Sequence, residues 1–271
     1  MTPCLTIDLG LLGYAEALAL QKRLVAARKS QAIDDVLLFC EHPHTITLGR
    51  NGQREHLLAS DRVLRQKGIE FHPTDRGGDI TYHGPGQLVG YPILNLSAIR
   101  RDVVWYVRML EEVMIRASLE FGIVAGREPS KTGVWIAGAA EEKDLTPSAR
   151  RSPCSQSEEE KSLAALTEKN EEAEKLGAIG VHLSRWVTSH GFAYNVSTDL
   201  RYFDLIVPCG LAGRQATSLE KRLGRAVPLD EVAPRLAKHF GEVFGLTMKK
   251  ASYAELLEKL ARFEQPVAVS A

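Results

Sequence analysis

A glycine-rich stretch at residues 76–87 constrains this chain more than any other part of the sequence. It reads RGGDITYHGPGQ and encloses polar and aromatic side chains between a Gly-Gly pair and a Gly-Pro-Gly turn. Glycine permits positive φ and close approach of backbone to a ligand, so main-chain N–H groups on both sides can face a bound molecule. Residues 79–83 can run extended, with alternate side chains on one face. An ordinary hairpin loop is the alternative, but the flanking polar side chains favour a pocket wall.

Length and charge narrow the class of protein. A chain of 271 residues with 44% hydrophobic residues can bury one large core, so we expect a single domain over residues 1–271. The 34 basic residues equal the 34 acidic ones, which leaves no global field to attract a nucleic acid or a membrane surface. We therefore expect neither kind of partner.

The cysteines argue against a metal site. Cys4, Cys40, Cys154 and Cys209 are scattered without a CxxC pair, so neither a zinc site nor a disulfide framework is predicted. The first residues show no signal-peptide or presequence pattern, and no apolar run approaches the roughly 18 residues of a membrane span. We expect a soluble, cytoplasmic protein with no metal and no cofactor.

Strand and helix patterns alternate along the chain, which predicts an α/β (α+β) fold. Pro92 lies within a predicted strand at residues 87–96 and demotes it toward a sheet edge or a bulge, because proline cannot donate to a ladder. Arg185 and Trp186 are predicted to join two strands of a hairpin. After residue 210 the pattern predicts helices only.

A change of composition marks residues 138–174. This segment is rich in Glu, Lys, Ser and Ala, and it contains turn formers such as Thr-Pro-Ser-Ala at 146–149. Its few apolar residues cannot bury enough surface to offset the conformational entropy lost on ordering. We therefore expect a solvated, mobile insertion.

Cys209 stands between Pro208 and Gly210 at the end of an apolar run. Such a place can present a side chain to a cleft. From this context alone an inert buried thiol is the more common outcome.

Three separated segments favour a catalytic thiol at Cys209 over an inert one. They are the stretch at 76–87, Lys-Leu-Gly-Ala-Ile-Gly at 175–180, and Val-Pro-Cys-Gly at 207–210 followed by Thr-Ser-Leu at 217–219. Together they closely resemble the lipoyl(octanoyl) transferases, which move an octanoyl chain from acyl carrier protein to a lysine of a lipoyl domain. The long segment at 138–174 departs from that family, whose members usually join these strands briefly.

The resemblance implies a fold and a catalytic pair. The fold is a mixed β-sheet flanked by helices, of the biotin/lipoate ligase catalytic-domain type. Cys209 would carry the acyl group and Lys175 would activate it. A thiol with a pKa of about 8.5 is only about 3% thiolate at pH 7, and lowering the pKa to about 7 takes about 2 kcal/mol, within reach of one close ammonium.

The resemblance also implies binding residues and partners. The substrate-binding residues would be Arg76, Gly77, Gly78, Asp79, Ile80, Thr81, Tyr82, His83, Ala178, Ile179, Gly180, Gly191, Phe192 and Ala193. The donor would be octanoyl-acyl carrier protein. The acceptors would be lipoyl domains of 2-oxoacid dehydrogenase E2 subunits and the glycine cleavage H protein.

Three other functions stay open at this point. An ATP-dependent lipoate ligase of the same fold would have no need of Cys209. A thiol hydrolase would pair Cys209 with His83 or His190. A non-catalytic protein that binds lipoyl domains or acyl carriers would need neither residue.

Overall fold

The computed structural model describes residues 2–137, 173–207 and 215–264. Cys209 and nearly all of the predicted insertion lie outside these ranges, although Glu174, placed at the insertion's end, already begins a strand. The strands are β1 Thr2–Leu11, β2 Asp35–Glu41, β3 Thr45–Leu48, β4 Glu70–Pro73, β5 Ile80–His83, β6 Gln87–Ile93, β7 Gly126–Glu128, β8 Lys131–Ile136, β9 Glu174–Ser184, β10 Val187–Asn195 and β11 Leu246–Lys250. The helices are α1 Tyr14–Lys29, α2 Asp61–Gln66, α3 Val103–Leu119, α4 Leu219–Leu223, α5 Leu229–Phe244 and α6 Tyr253–Glu264.

Two sheets organise the described part of the chain. The larger has eight strands in the order β11-β1-β2-β6-β10-β9-β8-β7, and the smaller has the order β4-β3-β5. In the larger sheet β1 pairs in parallel with β11 and β2, and all other pairs are antiparallel. The predicted mixed sheet is confirmed.

Helices cover both faces of the larger sheet. On one face α3 and α5 bury side chains such as Leu110 and Phe240 against Phe39. On the other face α1 and α6 bury Leu24 and Leu260. Burying one such side chain fully is worth about 1.5–3 kcal/mol, so the alternating apolar residues of the central strands fix which face each helix takes. Of the helices described, none combines the length and apolarity needed to cross a membrane.

Pro92 contradicts the prediction of an edge strand. β6 is central, and Pro92 pairs with Leu37 of β2. On its other side the ladder with β10 ends at Gly90 opposite Phe192. The missing N–H of Pro92 therefore falls where β10 has already left the ladder, so no hydrogen bond is lost.

The hairpin around Arg185 and Trp186 is confirmed. Both residues have positive φ, 50° and 64°, as a two-residue turn between twisted strands requires. The pattern missed two short strands, β7 and β11. β11 follows Gly245, whose φ of 67° ends α5, and it forms the edge of the larger sheet beside β1.

Candidate active site

A cavity lies between the larger sheet, β5 of the smaller sheet and the start of α1. Its floor consists of small residues on β9 and β10, which pair as Ala178 with Ala193 and Gly180 with Gly191. All four residues line the cavity, and the directly paired Ala178 and Ala193 lie on the same face of the sheet. The absence of larger side chains creates the space.

The two floor glycines are required by their surroundings. A Cβ on Gly191 would lie 2.0 Å from the carbonyl oxygen of Gly90, and one on Gly180 would lie 2.9 Å from that of Gly77. Both obstacles are backbone atoms, which cannot move aside cheaply. The neighbouring backbone therefore requires glycine at these two positions of the floor.

Arg76 braces the glycine-rich loop against the smaller sheet. Its side chain is buried, and its Nη2 donates to the carbonyl of Thr47 at 2.8 Å and to the Thr47 hydroxyl at 2.9 Å. The N–H of Gly77 donates to the carbonyl of Val181 at 2.8 Å, which ties the loop to β9. Arg76 and Gly78 line the cavity, and Gly78 has a φ of 84°. Gly77 does not line the cavity and supports its wall through the hydrogen bond to β9.

The side chains of β5 alternate as a strand requires. Thr81 and His83 face the cavity, whereas Ile80 and Tyr82 belong to the apolar cluster of the smaller sheet. The Tyr82 hydroxyl lies 2.7 Å from Nδ1 of His44, and its ring stacks on Tyr202. The structure thus does not bring the Tyr82 ring to the cavity, because its position in the strand points it to the opposite face.

The same alternation separates the predicted residues of β9 and β10. The Phe192 ring packs in the core beneath the sheet, 6.4 Å from the ring of Phe39, and Ile179 packs against that same core. Both residues contribute to the cavity wall from positions whose side chains face the core. Ala178 and Ala193, in contrast, point into the cavity.

His83 is held in one tautomer by a relay of side chains. Asn195 Nδ2 donates to the carbonyl of Thr217, Gln87 Nε2 donates to Asn195 Oδ1, and Gln87 Oε1 therefore accepts from His83 Nδ1 at 2.8 Å. Burial lowers the pKa of His83 to about 3, with the nearby His42 adding to the effect. His83 is thus a neutral imidazole whose Nε2 is a hydrogen-bond acceptor at neutral pH.

Lys175 stands at one end of the cavity, near the start of β9. Its Nζ lies 4.9 Å from the centroid of the Trp135 ring, a cation–π contact that sequence reasoning missed. Its backbone N–H donates to the carbonyl of Gln215 at 2.9 Å, and its carbonyl accepts from the N–H of Thr217 at 2.9 Å. Lys175 is therefore paired with the first described residues after the segment that contains Cys209.

Gly133 makes room for the Lys175 side chain. Its φ is 118°, and a Cβ there would lie 2.8 Å from Cε of Lys175 and 2.5 Å from the carbonyl oxygen of Gly177. The N–H of Gly133 donates to Oε1 of the fully buried Glu111 at 3.0 Å, and Glu111 is itself paired with Arg108 and Arg127. The sequence carries no sign of this support, because a glutamate bordering the apolar face of a helix normally lies in solvent.

The Asp79 side of the cavity approaches the other border of the Cys209 segment. Oδ2 of Asp79 is hydrogen-bonded to Nδ1 of His56, and the carbonyl of His56 accepts from the N–H of Val207 at 2.8 Å. Val207 is the last described residue before Cys209. Both borders of that segment are thus attached to elements that line the cavity.

Toward its opposite end the cavity is lined by Tyr14, Tyr91 and His190, which were not among the predicted binding residues. The Tyr91 hydroxyl lies 2.7 Å from Nε2 of His42, which is completely buried. Aromatic residues at the start of a predicted helix and within an apolar strand carry no sequence signal that distinguishes a cavity from a core.

Comparisons with known proteins agree with this geometry. The family model described as the lipoyl protein ligase A/B catalytic domain matches residues 13–241. An octanoyltransferase of Solibacter usitatus is 48% identical over 92% of this chain and 96% of its own length, and one of Acidobacterium capsulatum is 44% identical over 96% and 98%.

Among solved structures, a bipartite lipoate protein ligase of Thermoplasma acidophilum superimposes with a TM-score of 0.68, covering 97% of this chain and 92% of the ligase. At 16% identity it supports the fold alone. The sequence relatives decide the family. The chain belongs to the octanoyltransferase family and is an acyltransferase of protein lipoylation.

Proposed function

We propose that this octanoyltransferase takes its acyl group from octanoyl-acyl carrier protein and passes it, through a thioester on Cys209, to a lysine of a lipoyl domain. The acceptors are lipoyl domains of 2-oxoacid dehydrogenase E2 subunits and of the glycine cleavage H protein. One observation carries the proposal. Lys175 lies at the end of a cavity floored by small residues, and its backbone is paired with the residues that follow the Cys209 segment.

In the first half-reaction the Cys209 thiolate attacks the thioester carbonyl of the donor. A carbon–sulfur bond to Cys209 forms, the bond to the carrier's thiol breaks, and that thiol leaves with a proton. One thioester replaces another, so the step is nearly balanced in free energy. The Lys175 ammonium stabilises the Cys209 thiolate and is the proton donor for the leaving thiolate.

In the second half-reaction the amine of the lipoyl-domain lysine attacks the acyl-enzyme. A carbon–nitrogen bond forms and the bond to Cys209 breaks, which restores the thiolate. Lys175, neutral after the first step, accepts the proton that the attacking amine releases. The Trp135 ring beside Nζ then favours the ammonium that forms.

The acyl chain occupies the cavity. Its floor is Ala178, Gly180, Gly191 and Ala193, and the loop residues Arg76, Gly78, Asp79, Thr81 and His83 form its wall. Ile80, Ile179 and Phe192 also border the cavity, whereas Gly77 and Tyr82 support the wall without lining it. Each methylene removed from water contributes about 0.8 kcal/mol to binding, so burial of the eight-carbon chain contributes much of the substrate's affinity for the cavity.

Intact-mass measurement tests the mechanism. Incubation with octanoyl-acyl carrier protein should add one octanoyl group to the wild-type enzyme and none to Cys209→Ser, because a serine hydroxyl is too weakly acidic for one lysine to activate. Cys40→Ala is the matched control. Cys40 is buried, and burial raises the pKa of its thiol, so this thiol should not be acylated. The Cys40→Ala variant should therefore gain one octanoyl group, as the wild-type enzyme does. An adduct on Cys40, or full turnover by Cys209→Ser, would refute the mechanism.

Lys175→Arg separates the two roles of the lysine. Arginine keeps the positive charge but cannot act as a base near neutral pH. Acylation from the donor should therefore be rescued better than amide transfer, as measured in single-turnover experiments for each half-reaction. Equal rescue of both would remove the proton-transfer role.

The geometry disfavours the thiol hydrolase. Burial lowers the pKa of His83 to about 3, which makes it a poor base, and Nε2 of His190 is already hydrogen-bonded to Asp75 at 2.7 Å. The ATP-dependent ligase is tested by lipoyl-adenylate formation in the purified protein, which we expect to be absent. We also propose a cytoplasmic location and one domain over residues 1–271; the two cysteines that the structure describes, Cys4 and Cys40, are free thiols. Cell fractionation tests the location.

A further inference from the structure

A second cavity lies behind the distal end of the acyl cavity. Its volume is about 540 Å³, and it is bounded by α1, by the β9–β10 hairpin and by Asp75. α1 contributes the apolar side chains Leu18 and Val25 together with Lys22 and Lys29, and the rest of the lining is mostly polar. His190 lines both cavities, with its side chain only 3% exposed. The imidazole is thus the wall between them.

His190 is held in a strained conformation. Its φ is 55°, a value that is unfavourable for a non-glycine residue and persists only where the surroundings enforce it. The backbone N–H donates to Oε1 of Gln21 at 2.7 Å, and Nε2 lies 2.7 Å from Oδ1 of Asp75. Both the backbone and the ring are therefore fastened in place at the point where β10 has left β6.

His190 lies at the far end of the acyl cavity from Lys175. His190 pairs with Val181, six residues after Lys175, and six residues of strand span about 20 Å. An extended octanoyl chain is about 9 Å long, from carbon–carbon bonds of about 1.5 Å, and each further carbon adds about 1.3 Å. Each added carbon therefore brings the end of the chain closer to His190.

We propose that His190 sets the upper limit of acyl chain length by closing the distal end of the acyl cavity. This inference rests on the proposed function, since it takes the cavity to hold the acyl chain. Removal of the imidazole joins the two cavities, and the extra methylenes then pack on Leu18 and Val25 of α1. The second cavity provides the space, and Gln21 and Asp75 are the positioning residues that keep the wall closed.

The test is a competition between donors. Equal amounts of octanoyl-, decanoyl- and dodecanoyl-acyl carrier protein are mixed with a lipoyl domain, and the acyl products are counted by intact mass. His190→Gly keeps the positive φ without strain and opens the wall. Each buried methylene is worth about fourfold in binding, so the dodecanoyl-to-octanoyl ratio should rise at least tenfold over wild type.

Ser189→Ala is the matched control, because Ser189 lines only the second cavity. It should leave the ratio unchanged. Asp75→Ala loosens the ring without removing it, and it should shift the ratio in the same direction by a smaller factor, about twofold to fivefold. This variant keeps the test decisive if His190→Gly does not fold.

An unchanged ratio in a folded His190→Gly that still transfers octanoyl overturns the inference, as does an unchanged ratio in Asp75→Ala if the glycine variant does not fold. A change of equal size in Ser189→Ala overturns it as well. Failure of the wild-type enzyme to transfer octanoyl from the carrier would instead refute the proposed function, so the two failures are distinguishable.

Discussion

The two ends of the acyl cavity are built in different ways. At the Lys175 end the main chain does most of the positioning: β9 pairs with residues 215–217, and Gly133 leaves room for the lysine stem. At the distal end side chains do it, because the His190 imidazole is fastened by Gln21 and Asp75. A backbone arrangement tolerates few substitutions. A side-chain arrangement can change at one residue, so we expect chemistry to be robust at one end and chain-length selectivity to be adjustable at the other.

Removing the lysine gives the largest expected effect. Lys175→Ala should lower the rate of octanoyl transfer by about 10²–10⁴-fold, the usual contribution of a positioned acid–base group. The ratio of dodecanoyl to octanoyl products should stay as in wild type, because the distal wall is untouched. Steady-state rates and donor competition measure the two quantities. A loss below tenfold would show that the Lys175 end does not control the chemistry.

A single methyl group at Gly133 should also disable the catalytic end. Gly133→Ala places a Cβ against Cε of Lys175 and the Gly177 backbone, at a φ that alanine avoids. Transfer should slow by roughly tenfold to a hundredfold, since misplacement by about 1 Å can cost that much.

Gly126→Ala is the control for this substitution. Gly126 lies on the neighbouring strand with nothing within 4 Å of its Cβ position. Its activity should stay within twofold of wild type. Equal losses in the two variants would indicate general damage to the sheet edge.

Lowering the pH should destabilise the protein through His83, the buried histidine of the glycine-rich loop. His83 stacks on Tyr14 of the distal end, with ring centroids 6.2 Å apart. Its pKa is lowered to about 3 by burial, whereas an unfolded histidine has a pKa of about 6.5. Between these values the unfolded chain binds more protons, so the stability that His83 contributes is complete above about pH 6.5 and is lost as pH falls toward 3.

Urea unfolding measures this dependence. The free energy of unfolding should fall by about 2 kcal/mol for this one group between pH 6.5 and pH 5. His83→Leu cannot titrate, so its stability should decline less steeply over the same interval. Parallel declines in the two proteins would contradict the assignment of His83 as a buried neutral imidazole.

The smallest effect is expected from shortening residues 139–172, which the structure does not describe. Ile136 and Glu174, which border the undescribed residues 138–172, are paired in the ladder between β8 and β9. Paired strands can be joined by a short turn, so replacing residues 139–172 with a few Gly and Ser residues should change the unfolding temperature by only a few degrees and leave transfer intact. Two linkers of different length guard against a poor splice. If both variants fold and neither is acylated, the segment belongs to the active site.

Much of the fold could be predicted because burial imposes simple periods. The continuous apolar run of β2 and the apolar stripe of α5 are patterns that predict a buried strand and an amphipathic helix directly. Pro92 was misjudged because the sequence does not show that β10 leaves the ladder beside it. β11 was missed because a short, half-exposed edge strand has little apolar pattern to detect.

The residues of the site were likewise predicted only in part. Glycines and small residues such as Gly180 and Gly191 were found by their motifs, and the structure shows the backbone contacts that require them. Trp135, Glu111 and His190 were not assigned roles in the acyl site, because each acts through a neighbour distant in sequence. Tyr82 was included because it stands within the motif, and strand alternation explains why its ring faces the other way.

The position of the first strand has a consequence for biosynthesis. β1 lies inside the larger sheet, and its Thr2 pairs with Leu246 of β11. At about 5–20 residues per second, a ribosome takes on the order of 10–50 s to make the chain between them. Throughout that time one edge of β1 has no strand beside it, and such edges invite pairing with other chains. Slower synthesis should therefore increase the demand for chaperones on this protein, and nascent chains that stop before residue 246 should aggregate more readily than the finished enzyme.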